Sequence, residues 1–268
     1  MYRMLRSHVQ KETNGVILTG HGNVLNSRNR ALTDSANLRF LLEKRILWMS
    51  THLGNPTLIG VEFGAGAGYT KIICPDSKVL LTDVIDSDWL DVKEVDATRT
   101  EFENSSMDYI IVNNVLHHIS NPHLFFTEAA RILKPGGSLL VQEIHTSLLM
   151  RGVLKLLNHE SFDDSTDPFS RKNQISDPNN PWDANCDIAR QCFDNHSLFE
   201  SNFQNFKILS DIKTECFTFL NSGGVVVQSP YLRMSRWMSR IIWGLDLALV
   251  GLFPNILGLQ RQIELVRR

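Results

Sequence analysis

Cysteine is scarce and scattered: Cys74, Cys186, Cys192 and Cys216 are the only four, and none forms a Cys-x-x-Cys pair. That spacing suits neither a zinc ribbon nor a disulfide framework, and a reducing compartment is the simpler expectation. Charge of one sign is also lacking. A formal net charge of −2 gives no electrostatic case for nucleic acid as the main partner. Residues 1–10 carry Arg3, Arg6 and His8 with no apolar run behind them, so no secretory leader is expected. His196, Asp163 and Asp164 have no metal-ligand spacing, and no metal is expected. Repeats and low-complexity tracts are missing. The longest apolar stretch, 241–253, contains Asp246 and runs into Pro254, whereas a clean spanning helix needs roughly 20 predominantly apolar residues. Together these absences predict a cytoplasmic protein, peripheral to a membrane at most.

What is present is an ordinary globular composition, 43% hydrophobic and 21% charged over 268 residues, which excludes a disordered chain. One α/β domain with an insertion fits that length as well as two small domains do. Residues 1–56 read as an N-terminal helical segment, with Leu38, Leu41, Leu42, Ile46 and Met49 at helical spacing. Packing explains that apolar face; a lid over the substrate is the functional alternative. Gly20-His21-Gly22-Asn23 has too flexible a composition to assign.

From residue 57 short apolar runs alternate with helical patterns. Strands are predicted over 57–63, 78–82, 92–95 and 109–112, an amphipathic helix over 122–133, a turn over 134–137 and a fifth strand over 138–142. Such alternation implies right-handed βαβ crossovers and a doubly wound, mostly parallel sheet of seven strands with helices on both faces. Ligands in that architecture bind beyond the carboxyl ends of the strands. A polar connection over 159–192 is long enough to suggest a functional loop. A short helix is expected over 196–205 and a sixth strand over 206–219, although 216–220 suits a turn. An apolar helical insertion over 222–259, interrupted at Pro254, precedes a final strand in 260–268. The predicted domain thus runs over 57–221 and is completed by that last strand.

The chemistry-bearing residues gather at the predicted strand ends. Val61-Glu62-Phe63-Gly64-Ala65-Gly66-Ala67-Gly68 closes the first strand and opens a helix, letting a ligand approach bare backbone. Its spacing is G-x-G-x-G, not that of dinucleotide binders. Asp83 closes the second strand, where a carboxylate can accept both hydroxyls of a ribose. Asp96 closes the third, where an acceptor can take an exocyclic amine, and Asn113 closes the fourth. Any one of these alone would read as a cap or turn residue. All of them in register are hard to obtain by chance.

These segments resemble the class I S-adenosylmethionine (SAM)-dependent methyltransferases of the type 11 group. The resemblance is carried by the glycine segment, Leu81-Thr82-Asp83, Val95-Asp96-Ala97 and Ser106-Met107-Asp108-Tyr109-Ile110-Ile111-Val112-Asn113-Asn114-Val115-Leu116-His117-His118-Ile119. It continues into Glu128-Ala129-Ala130-Arg131-Ile132-Leu133-Lys134-Pro135-Gly136-Gly137-Ser138-Leu139-Leu140-Val141. It implies a Rossmann-like fold and SAM as cofactor. Glu62, Gly64, Gly66 and Gly68 would hold its amino-acid moiety, Asp83 its ribose, Asp96 with Ala97 its adenine, and Asn113 would border the methionine end.

Because SAM carries an activated methyl, alignment and exclusion of water supply much of the acceleration, and an oxygen acceptor also needs a base. The candidates are His117, His118, His145, His159, Glu143 and Glu160. At least one of the adjacent His117 and His118 is expected to cap or pack. Glu143 and His145 share a strand face and form a plausible base-and-orienter pair. Past residue 145, His159-Glu160-Ser161-Phe162-Asp163, Asn180-Pro181-Trp182-Asp183-Ala184-Asn185 and Ser222-Gly223-Gly224-Val225 resemble, more loosely, bacterial surface-polysaccharide methyltransferases. That implies a sugar hydroxyl or lipid-linked glycan as acceptor, with Trp182 either stacking on a sugar or anchoring its loop.

Three functional readings stand: O-methylation of a small or lipid-linked acceptor such as a saccharide, C-methylation of a quinone-like lipid, and a SAM-binding module without catalysis. The apolar segment within 233–259 has arginines before and after it. Burial or a homodimer contact is favoured over an interfacial helix with Trp237 and Trp243 at headgroup depth.

Overall fold

The computed structural model describes residues 20–33, 36–157, 162–177, 179–180, 182–226 and 228–268. His159, Glu160 and Ser161 lie outside the described residues. Three N-terminal helices, α1 (Gly20–Thr33), α2 (Ala36–Leu47) and α3 (Ser50–Leu53), precede β1 (Gly60–Phe63). Then come α4 (Tyr69–Ile73), β2 (Val79–Asp83), β3 (Val92–Lys93), β4 (Met107–Asn113), a single 3-10 turn (Leu116–His118), α5 (Pro122–Ile132) and β5 (Leu133–Ile144). The remainder is α6 (Leu148–Leu157), α7 (Ile188–Phe193), α8 (His196–Asn202), β6 (Phe206–Thr214), α9 (Phe217–Leu220), α10 (Arg236–Leu252), α11 (Pro254–Leu257) and β7 (Gln260–Arg267).

The strands form one sheet in the order β3-β2-β1-β4-β5-β7-β6. β1 to β5 run parallel, and β7 is antiparallel to both β5 and β6. This is the expected Rossmann-like, mostly parallel sheet. The central strands are buried on both faces, as parallel strands covered by helices must be, and their sequences are accordingly near-continuous apolar runs.

Local chemistry sets the element ends. Asn121 caps α5 by accepting from the Leu124 N–H, and Pro122 supplies a preset φ at the first helical position. The buried face of α5 carries Phe125 and Phe126, and Phe126 packs on Phe193, Phe199, Phe203 and Phe206. Burying one such ring stabilises the fold by about 1.5–3 kcal/mol.

Three expectations are corrected. β1 begins at Gly60, because Asn55 folds back on Thr57 and the Ile59 N–H donates to Asp108, which makes 55–59 a turn. Residues 134–137 bulge within β5 instead of separating it from α5. Leu133 pairs with Met107 and Ser138 with Tyr109, so the extra residues loop out around Gly136 at φ +79°. The third strand ends at Lys93, so Asp96 lies in the segment after it, and Gly20-His21-Gly22-Asn23, unassigned from sequence, lies within α1.

The N-terminal helices are tied down by buried polar contacts. Arg45 on α2 makes a two-pronged ion pair with Glu215, just past β6, at 2.8 and 2.7 Å. Asn37 spans to the carbonyls of Asn221 and Leu232. Breaking such a buried pair on one side leaves an uncompensated charge, which costs about 3–5 kcal/mol.

Candidate active site at the carboxyl edge of the sheet

The glycine turn leaves β1 with Gly64, Gly66 and Gly68 all at positive φ. At Gly64 a Cβ would come within 2.5 Å of the Val115 side chain, so no other residue fits without displacing the turn after β4. The turn is stitched to β2 twice: the Ala65 N–H donates to the Thr82 carbonyl, and the Gly66 N–H donates to Asp83 Oδ2 at 2.9 Å. Asp83 Oδ1 accepts from the Ile85 N–H at 3.0 Å. The Val84 N–H bonds the same carboxylate. Burial raises the Asp83 pKa above the usual carboxylate range, and its backbone donors oppose that rise.

The segment after β3 is drawn to the same rim, since the Val95 N–H donates to the Asp83 carbonyl at 2.9 Å. Asp96 is exposed there and holds Thr98 through one oxygen, while Ala97 is buried beside it. Asn113 ends β4 next to the glycine turn, its side-chain oxygen accepting from Asn114. Gly66, Asp83 and the 95–97 segment thus share one rim.

Glu62 is the most unusual group in this cluster. It is fully buried, and its Oε2 has no hydrogen-bond partner. Burial pushes its pKa up to about 7; the Asp83 carboxylate adds to the rise, and Thr70 and Lys71 oppose it. An unpartnered buried carboxyl oxygen is costly unless a donor arrives from outside the protein.

Sequence reasoning missed two residues on this turn. Trp89 donates its indole N–H to the Gly66 carbonyl at 2.8 Å, and Arg28 on α1 donates to the Ala67 carbonyl at 2.6 Å. The Arg28 guanidinium lies 4.6 Å from the centre of the Trp89 ring. Arg28 stands 39 positions from its partner and carries no local signal; Trp89, in a turn between β2 and β3, reads as a loop anchor. Ser27 contacts both the Tyr69 hydroxyl and the Val225 carbonyl, and Arg30 donates to the carbonyls of Gly223 and Val225. The glycine turn, α1 and the 223–225 loop are therefore one hydrogen-bonded unit.

The histidine pair divides. His117 is buried, with Nδ1 at 2.6 Å from Glu143 Oε1, and the Glu143 carboxylate also accepts the backbone N–H groups of His117 and Ile144. His118 is half-buried and its Nδ1 lies 3.1 Å from the Asp183 carbonyl. A carbonyl only accepts, so this contact selects the tautomer protonated at Nδ1 and leaves Nε2 as the basic nitrogen. The Asn185 N–H also bonds the His117 carbonyl, which lays the 183–185 segment on this turn.

The expected pairing of Glu143 with His145 is corrected: Glu143 is taken by His117. His145 is buried beyond it, with no well-formed hydrogen bond to either ring nitrogen and only a loose approach by Asn255. Burial, aided by Arg261, lowers the His145 pKa to about 4.

Among the described residues no group of three or more His, Cys, Asp or Glu is disposed to hold a metal ion. Cys74, Cys192 and Cys216 are free thiols.

Residues 62–141 match the family model described as a methyltransferase domain. This segment is a SAM-dependent methyltransferase domain, of type 11. It holds the glycine turn, Asp83, Asp96, Asn113 and both histidines of the 3-10 turn. SAM is the cofactor of the family. Two solved structures share the fold of the chain as a whole. One is a SAM-dependent methyltransferase from Archaeoglobus fulgidus, 12% identical, covering 90% of this chain and 97% of that one with a TM-score of 0.50. The other, a SAM-dependent methyltransferase from Thermotoga maritima, is 17% identical and covers 91% and 95% of the two chains, also at 0.50. A curated relative, a hybrid PKS-NRPS synthetase of Xenoacremonium sinensis, is 47% identical over 55 residues, 20% of this chain. The chain spans 1% of that relative's length.

Proposed function

We propose that this chain transfers the methyl group of SAM to an oxygen of a small or lipid-linked acceptor such as a saccharide. The observation that carries the cofactor half is the buried Glu62 oxygen without a donor, beside the Gly66–Asp83 contact. An ammonium, which the amino-acid end of SAM supplies, would satisfy that oxygen and draw Glu62 to its ionised form. Gly64, Gly66 and Gly68 expose backbone to the same moiety. The Asp83 carboxylate, an acceptor at the strand end, suits the ribose hydroxyls, Asp96 and Ala97 the adenine, and Asn113 the methionine end.

The bound cofactor supplies a methyl already activated on a sulfonium, so the protein has to align it, exclude water and remove the acceptor's proton. His118 is the base of choice, its Nε2 basic while Nδ1 is held by the Asp183 carbonyl. Glu143 and His117 position that turn through buried hydrogen bonds. The contact of 183–185 with the turn supports the glycan reading, because that segment carries the looser polysaccharide resemblance.

Calorimetry with SAM and S-adenosylhomocysteine tests the cofactor half; absence of binding to both removes the proposal. Mass spectrometry of glycan, lipid-linked glycan and quinone acceptors incubated with SAM tests the other half. Methyl gain on quinone carbon alone overturns the oxygen reading.

A further inference from the structure

Of the burial or homodimer contact expected for 241–253, burial within the chain is corrected by the structure. On α10 only Ser239, Asp246 and Val250 are buried, and they fall on one stripe. At 100° per residue the opposite stripe consists of Trp237, Ile241, Gly244, Leu245, Ala248 and Leu252, all exposed. It contains no polar side chain. Trp237 is 64% and Leu252 72% exposed, an arrangement opposite to that of an ordinary surface helix. Phe253 and Ile256 extend the apolar surface across α11, which packs against α6. There Leu148 and Leu156 are also exposed, the latter by 85%. No helix among the described residues is long and apolar enough to cross a membrane.

Charge identifies what covers this face. Residues 228–258 include three cations, Arg233, Arg236 and Arg240, and one carboxylate, Asp246. Asp246 is turned inward, accepting the N–H groups of Cys216, Phe217 and Thr218 at the start of α9. α6 adds Lys155 and Arg151, the latter paired with Asp187 and Asp164. Arg236 is paired with Glu43 at the flank of α10, while Arg240 is exposed beside the apolar stripe. The surface therefore combines outward leucine, isoleucine and tryptophan with the exposed cations Arg240 and Lys155. A second copy would bring the same cations against each other, whereas an anionic bilayer offers both a hydrocarbon layer and negative headgroups.

Topology relates this face to the chemistry. Thr214 and Gln260 pair beside Ile144, so the chain over 215–259 leaves and re-enters the sheet at the edge where β5 ends. That is the edge carrying the glycine turn and the histidines, and α6 begins just past it. We infer that α10 and α11, with the exposed side of α6, dock on an anionic membrane surface and present the active edge to acceptors carried in the bilayer. The link to the acceptor rests on the lipid-linked reading above; the docking rests on the exposed face alone.

Flotation of the full chain with phosphatidylcholine vesicles, with and without phosphatidylglycerol, tests it. Co-flotation with the anionic vesicles, weakened by salt, is the expected result. Ile241→Asp with Leu245→Asp should lower partitioning about tenfold or more, because two apolar anchors are lost. Arg240→Glu should act in the same direction at low salt. Circular dichroism and SAM calorimetry verify that the variants fold. No flotation with anionic vesicles at low salt overturns the inference. So does unchanged flotation of the double variant, or a dimer by light scattering that dissolves in the variant without vesicle binding. Flotation without SAM binding would sink the proposed function and leave docking intact; SAM binding without flotation does the reverse.

Discussion

The backbone N–H of Gly66 donates to Asp83 Oδ2 at 2.9 Å, joining residues 17 positions apart at the ends of adjacent strands. The contact locks the glycine turn against the carboxylate. Trp89 and Arg28 hold the same turn through the carbonyls of Gly66 and Ala67, so its geometry is supported from β2, from the loop behind it and from α1. Its donors and acceptors are preorganised before any ligand arrives.

Replacing Asp83 with Ala should weaken SAM binding by one or two charge-assisted hydrogen bonds, each worth about 1.5–3 kcal/mol. The dissociation constant should rise at least roughly tenfold. Calorimetry on the variant, with its fold verified by circular dichroism, checks this. Affinity equal to that of the unaltered chain would remove Asp83 from the site.

Glu62 makes the stability of the ligand-free protein depend on pH. Its folded pKa of about 7 stands above the 4.5 of an exposed glutamate, so the folded chain holds the proton more tightly than the unfolded chain does. Stability from this residue is present in acid and declines as pH rises from about 4.5 to about 7, by up to about 3 kcal/mol. Thermal melts between those pH values should fall more steeply for the unaltered chain than for Glu62→Gln. Equal slopes would show that Glu62 titrates normally.

Gly64→Ala and Gly152→Ala should differ in sign. The first puts a methyl against Val115 in a left-handed backbone conformation and should destabilise by about 1–3 kcal/mol. The second lies in α6 with nothing within 4 Å of the added carbon and should stabilise by about 0.5–1 kcal/mol. Urea unfolding of the two variants measures the contrast.

His118→Asn should reduce kcat about 10²–10⁴-fold while leaving SAM affinity unchanged, if the acceptor is a hydroxyl needing a base. The acid limb of the pH–rate profile should vanish with it. His117→Leu should act differently, lowering stability by removing one of three donors to the buried Glu143 carboxylate. A His118 variant with full kcat at every pH would leave the base to another group.

Asp246→Ala should cost about 1–3 kcal/mol for each N–H left unpaired at the start of α9. A modest loss in chemical denaturation, comparable to a surface substitution, would show that water replaces the carboxylate.

Asp96 lies past the end of β3, whereas the alternating apolar runs, the glycine turn and Asp83 at the end of β2 were legible in order, because a parallel strand and its terminal turn are specified by contiguous residues. So was SAM, through a motif block lying within 62–141. Contacts between distant segments were not legible. Nothing near Glu143 indicates that His117, 26 positions earlier, would take its carboxylate in place of His145, two positions later. That choice depends on how β4 and β5 pair. Arg28 reached the glycine turn only through the docking of α1. The direction of the apolar face of α10 was hidden for the same reason: its composition is apolar nearly all round, so hydrophobicity alone names no inner side. The tertiary structure decided it by drawing Asp246 inward onto three backbone N–H groups, which rotates Trp237, Ile241 and Leu245 toward solvent.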